Sequence, residues 1–132
     1  ANTHFNRITE EYTGDFDRLK VAAGIVTRGA GGRVLDILNK PIRMVGYWEP
    51  LNTDNLPDNG HTAVGLVFPC EVKVETRLGH LLAGTVIPEG RPFTYLMGAG
   101  WSKSDVPTPE AMTQLIFDES LRMENPLVVT LK

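Results

Sequence analysis

Two short segments place aromatic rings beside groups that exchange protons or make charged hydrogen bonds: Gly46-Tyr47-Trp48-Glu49-Pro50 and Gly98-Ala99-Gly100-Trp101-Ser102-Lys103. An aromatic face next to a carboxylate or an ammonium suits a sugar, because the ring packs on the aromatic while its hydroxyls find hydrogen-bond partners. Tyr47, Trp48, Trp101 and Lys103 are therefore candidate saccharide contacts. Glu49 is the candidate catalytic acid or base if buried, since desolvation raises a carboxyl pKa toward working pH. His61, in Asp58-Asn59-Gly60-His61, is the candidate second catalytic group, a proton relay. The expected arrangement has Tyr47, Trp48, Glu49 and His61 on one concave sheet face and Trp101 with Lys103 as a second patch nearby. Strand alternation works against part of it: Tyr47 and Glu49 share a face, and Trp48 joins them only if the strand bulges or ends there. The competing reading has both tryptophans closing the open ends of a sandwich core.

Cleavage of a glycosidic bond by two carboxylates needs a second acid, for which Asp54, Asp58 and Asp105 are available in loops. A lyase acting on uronic acids needs a cation for the substrate carboxylate, and Arg43, Lys103 and Arg91 are the candidates, Arg91 being more in keeping with a solvated turn. Other chemistries find no support. Gly29-Ala-Gly-Gly lacks the Lys-Ser/Thr of a phosphate-binding loop, and His4, His61 and His80 form neither HxH nor HExxH, so no cofactor and no metal is expected. No Gly-x-Ser-x-Gly elbow is present. Cys70 stands alone at the end of an apolar run, which excludes an intrachain disulfide and argues against a catalytic thiol.

These groups must be held by a small fold. The 132 residues fit one domain, 42% hydrophobic content supports a core, and 13 basic against 16 acidic side chains give no footprint for nucleic acid or an anionic membrane. No apolar run approaches the roughly 20 residues of a membrane span. The opening ANTHFNRITEEY lacks the basic and apolar regions of a signal peptide, leaving open that one has been removed. Glycines and prolines divide the chain into runs rich in β-branched and aromatic residues. Strands are predicted over 5–13, 19–27, 33–38, 43–49, 62–68, 71–76, 80–87, 93–98 and 127–131, a mainly β, antiparallel sandwich. Gly29-Ala-Gly-Gly, Pro57-Asp-Asn-Gly and Pro88-Glu-Gly read as turns with glycine at positive φ. One amphipathic helix is predicted over 109–124, with Thr108 as N-cap, Pro109 at its first position, and Asn125-Pro126 as its stop. Its apolar stripe is Met112, Leu115, Ile116 and Met123, widened by Phe117 and Leu121.

GYWEP (46–50), an acidic loop, AVGLVFP (63–69), HLLAG (80–84), GAGWSKSDVPT (98–108) and the closing ENPLVVTLK occur in that order over nearly the whole chain. In this order they resemble the C-terminal part of a bacterial family of unassigned biochemical function, whose members are similar to galactose-mutarotase-like β-supersandwiches and are associated with polysaccharide-degrading systems. The resemblance implies that residues 1–132 form a sandwich-like portion of a larger protein, in the periplasm or outside the cell, with a companion polypeptide completing the fold. It implies a part in a hydrolase or lyase acting on uronic-acid-containing sugars, or else a noncatalytic carbohydrate-binding or structural sandwich. It assigns no catalytic residue.

Overall fold

The computed structural model of the chain describes residues 3–28, 30–35, 37, 40–51 and 58–131. Eight strands precede one helix: β1 (Phe5–Glu10), β2 (Arg18–Val26), β3 (Arg33–Val34), β4 (Met44–Pro50), β5 (His61–Val67), β6 (Lys73–Arg77), β7 (His80–Pro88), β8 (Phe93–Trp101) and α1 (Pro109–Glu124). They form a five-stranded sheet in the order β1-β8-β5-β4-β3 and a three-stranded sheet in the order β2-β7-β6, every pairing antiparallel. The predicted fold class, a mainly β antiparallel sandwich with one C-terminal helix, is the one observed.

Two apolar layers hold it together. Between the sheets, Val21, Ala23, Ile25, Leu81 and Ala83 meet Val45, Tyr47, Leu66, Phe68 and Phe93. On the other face of the five-stranded sheet, α1 brings Met112 and Ile116 onto Phe5, Leu35, Met44, Trp48 and Ala63. Complete burial of a side chain such as Ile116 is worth about 1.5–3 kcal/mol, so the helix is held by the sheet rather than by its own propensity. Its ends are set locally. The Thr108 hydroxyl accepts the Ala111 N–H at 3.1 Å, Pro109 opens the first turn, and the Asn125 N–H closes the last turn on the Leu121 carbonyl at 2.9 Å.

A row of glycines seats the helix and Phe5. Gly46, Gly65 and Gly98 stand opposite one another on β4, β5 and β8. A Cβ on Gly65 would lie 2.6 Å from Ile116 Cγ1, one on Gly46 2.6 Å from Leu35 Cδ1, and one on Gly98 2.7 Å from the Phe5 ring. The three positions form a trough into which Leu35, Ile116 and Phe5 descend.

Three expectations fail in whole or in part. Leu127–Leu131, predicted as a ninth strand, joins neither sheet, and Leu127, Val128, Val129 and Leu131 are solvent-exposed. β-Branched composition favours a strand only where a sheet edge is there to receive it. Leu121 of the predicted stripe is exposed too, and the position one turn after Ile116 on the buried face is taken by Ser120. The predicted strand 33–38 is seen as Arg33–Val34, with residues 36 and 38 outside the described residues.

Candidate functional site

Strand β4 carries the first aromatic cluster, and its pleat decides which of the predicted residues meet. Tyr47 points into the layer between the sheets and Trp48 into the layer under α1. Glu49, two residues from Tyr47, shares the Tyr47 face. His61 stacks on Trp48, ring centroids 5.1 Å apart and planes 15° from parallel. Tyr47, Trp48, Glu49 and His61 therefore do not share one face: the sheet separates Tyr47 and Glu49 from Trp48 and His61. No bulge rescues the common face, because Tyr47, Trp48 and Glu49 pair in unbroken register with Val64, Ala63 and Thr62.

Glu49 is buried, only 6% exposed. Its Oε2 accepts the Arg28 backbone N–H at 3.1 Å and its Oε1 lies 3.7 Å from Arg28 Nη1, on a side chain that is 69% exposed. A carboxylate shielded from water thus sits beside a guanidinium open to it. Arg28 was not among the cations singled out from sequence, since nothing local ties it to Glu49. The Tyr47 hydroxyl lies against Gly32, where an added Cβ would come within 1.9 Å of it. Burial and then the Glu49 charge push the Tyr47 phenol above its ordinary pKa, so it stays a neutral hydroxyl.

The second cluster clamps a loop. Trp101 Nε1 donates to the Asn59 carbonyl at 2.8 Å, and Lys103 Nζ donates to the Asp58 carbonyl. Ser102 exchanges two bonds with His61, its Oγ accepting the His61 N–H at 2.7 Å and its N–H reaching the His61 carbonyl at 2.9 Å. Trp48, His61, Trp101 and Lys103 therefore gather at the start of β5, with the polar ends of Trp101 and Lys103 engaged by backbone. Of the predicted second acids, Asp105 belongs to another constellation and Asp54 lies outside the described residues. Arg43 is paired with Glu124 at 3.5 Å, and the Arg91 N–H closes the turn on the Pro88 carbonyl at 3.2 Å.

That other constellation was hidden in the sequence. His4 Nε2 lies 2.9 Å from Asp105 Oδ2, while Asp105 Oδ1 accepts the Trp101 backbone N–H at 3.0 Å. The Trp101 N–H first, with His4 adding to it, holds the Asp105 carboxyl below its ordinary pKa. The partners come from opposite ends of the chain, so only the β1–β8 pairing, which sets Phe5 against Gly98, could reveal them. Among the described residues, no three His, Cys, Asp or Glu side chains converge in a way that could hold a metal ion.

Comparison with curated proteins and with solved structures finds no match. A family model does match, and it covers residues 1–129 of the 132. The two-sheet scaffold, the shielded Glu49 and the His4–Asp105 pair are thus features of a chain that belongs to the family described as Domain of unknown function (DUF4861).

Proposed function

We propose that this chain is a sandwich portion of a carbohydrate-active protein, a hydrolase or lyase acting on uronic-acid-containing saccharides, with Glu49 as its acid–base group. The observation that carries this reading is the shielded Glu49 carboxylate beside the solvent-open Arg28 guanidinium. A uronate offers a carboxylate that Arg28 can pair with, and that pairing stabilises the negative charge that develops when the neighbouring carbon loses its proton. In elimination Glu49 takes that proton, the electron pair left behind forms a carbon–carbon double bond as the adjacent carbon–oxygen bond breaks, and the departing glycosidic oxygen takes a proton from water or a second acid. In hydrolysis Glu49 exchanges a proton with the glycosidic oxygen or with the attacking water. Galactose-mutarotase-like supersandwich architecture, a place in a polysaccharide-degrading system and location in the periplasm or outside the cell belong to the same proposal. So does a companion polypeptide, since His61 faces away from Glu49 and the second proton-transfer group would come from elsewhere.

A second reading is a noncatalytic carbohydrate-binding sandwich, favoured by that same separation of His61 from Glu49. Assays of the full chain, with any companion it co-purifies with, on pectic and other uronic-acid oligosaccharides separate the two. Glu49→Gln is expected to cut turnover by about 10²-fold or more while leaving binding within severalfold. Undiminished turnover in that variant refutes the Glu49 assignment, and saccharide binding without any turnover selects the second reading.

A further inference from the structure

A groove beside β1 has two open lobes of about 410 Å³ each that meet at Thr3: one lies between β1 and α1, the other beside Ala99, whose position on β8 alternates away from α1. Each lobe falls within the volume range of small-ligand sites. The lobe toward the end of the helix has an apolar floor of Phe5, Leu96 and Met123, with Arg7 and Arg122 at its walls. Arg122 pairs with Glu119, whose carboxylate also accepts the Thr3 hydroxyl at 2.9 Å. Arg7 makes no ion pair among the described residues. Two guanidinium groups against one carboxylate leave this lobe a net positive charge over an apolar floor. The other lobe is lined by His4 and Asp105. With Nε2 turned to the Asp105 carboxylate, His4 leaves Nδ1 to hydrogen-bond a sugar hydroxyl.

We infer that this groove is a second saccharide subsite, separate from Glu49, that binds the carboxylate of one unit of a uronate oligosaccharide through Arg7 and Arg122 in one lobe and the hydroxyls of a neighbouring unit through the His4–Asp105 pair in the other. The inference rests on the uronic-acid reading above and assigns it a place to hold additional sugar units. An anion alone would need only the arginines. The apolar floor suits the C–H face of a pyranose, and the histidine suits the hydroxyls of its neighbour. Planar guanidinium groups recognise carboxylates through paired N–H donors, and a charged hydrogen bond of this kind is worth about tenfold or more in affinity.

Calorimetric titration of the full chain with tetragalacturonate, and with a neutral tetrasaccharide as control, tests this. Arg7→Gln and Arg122→Gln are exposed changes that leave the cores intact; each is expected to weaken tetragalacturonate binding about tenfold, the double variant more, with Glu49→Gln showing no comparable loss. Equal binding of tetragalacturonate by the native chain and by the double variant overturns the groove while leaving the uronic-acid reading in place. Equal affinity for the neutral tetrasaccharide overturns the carboxylate assignment. A native chain that binds neither sugar overturns both the groove and the reading beneath it.

Discussion

The five-stranded sheet is covered on both faces and the three-stranded sheet on one, and strands of the two sheets look different as a result. In β2 burial alternates strictly from Lys20 to Val26, Val21, Ala23 and Ile25 pointing inward and their neighbours outward. In β4 every residue from Met44 to Glu49 is buried. A strand between two layers has no wet side, so polarity there cannot be decorative. Lys73, Glu75 and Arg77 on β6 face solvent and need no partner, whereas Glu49 is held by Arg28 through backbone and side chain. The contrast marks Glu49 as the charge to question first.

Substitutions ordered by expected effect sharpen this contrast. Ile116→Ala, under the doubly covered sheet, empties a site that is 0% exposed and should cost about 2–5 kcal/mol in denaturant unfolding. A cost below 1 kcal/mol would mean that the helix layer contributes little. Gly65→Ala places a methyl 2.6 Å from Ile116 Cγ1 and should cost about 1–3 kcal/mol. The cost should shrink when Ile116 is also trimmed to Ala, because that removes Cγ1 and Cδ1, the atoms the added methyl would meet, and strict additivity in that double-mutant cycle would break the account of the glycine trough.

Asp105, in the turn that follows β8, gives a smaller, pH-dependent effect. Its carboxyl is held below the ordinary value in the folded chain, so it favours folding above about pH 4 and that contribution is lost as acid protonates it. Asp105→Asn should flatten the acid side of the stability profile and leave the neutral region nearly parallel. An acid limb unchanged by the substitution would place the acid sensitivity elsewhere. Glu75→Gln, on the open side of the three-stranded sheet, should alter stability by less than about 0.5 kcal/mol at any salt concentration.

What could be read from the sequence divides along the same line. The helix is legible to the residue because Thr108, Pro109 and Asn125 act within one turn of its ends. Most strands are legible from β-branched runs between turn glycines, and Gly60 and Gly90 adopt the positive φ expected of them, 75° and 70°. The exception is the Leu127–Leu131 segment, whose composition says strand while no described edge receives it. Tertiary layering is what sequence does not carry. That Trp48 and Glu49 face opposite ways followed from alternation alone, but the stacking of His61 on Trp48, the reach of Arg28 to Glu49 and the closure of His4 on Asp105 all depend on which strands become neighbours.

The glycine trough also bears on the order of folding. Gly46, Gly65 and Gly98 belong to three strands far apart in the chain, and they line up only when β4, β5 and β8 have found their register. Until then α1 has no seat, and a 16-residue helix is marginal in water by itself. Helix docking therefore reports a finished sheet. A one-residue slip in β4 or β5 would set a side chain where Ile116 needs a glycine, so the helix tests the register of these two strands, while Gly98 on β8 leaves room for Phe5.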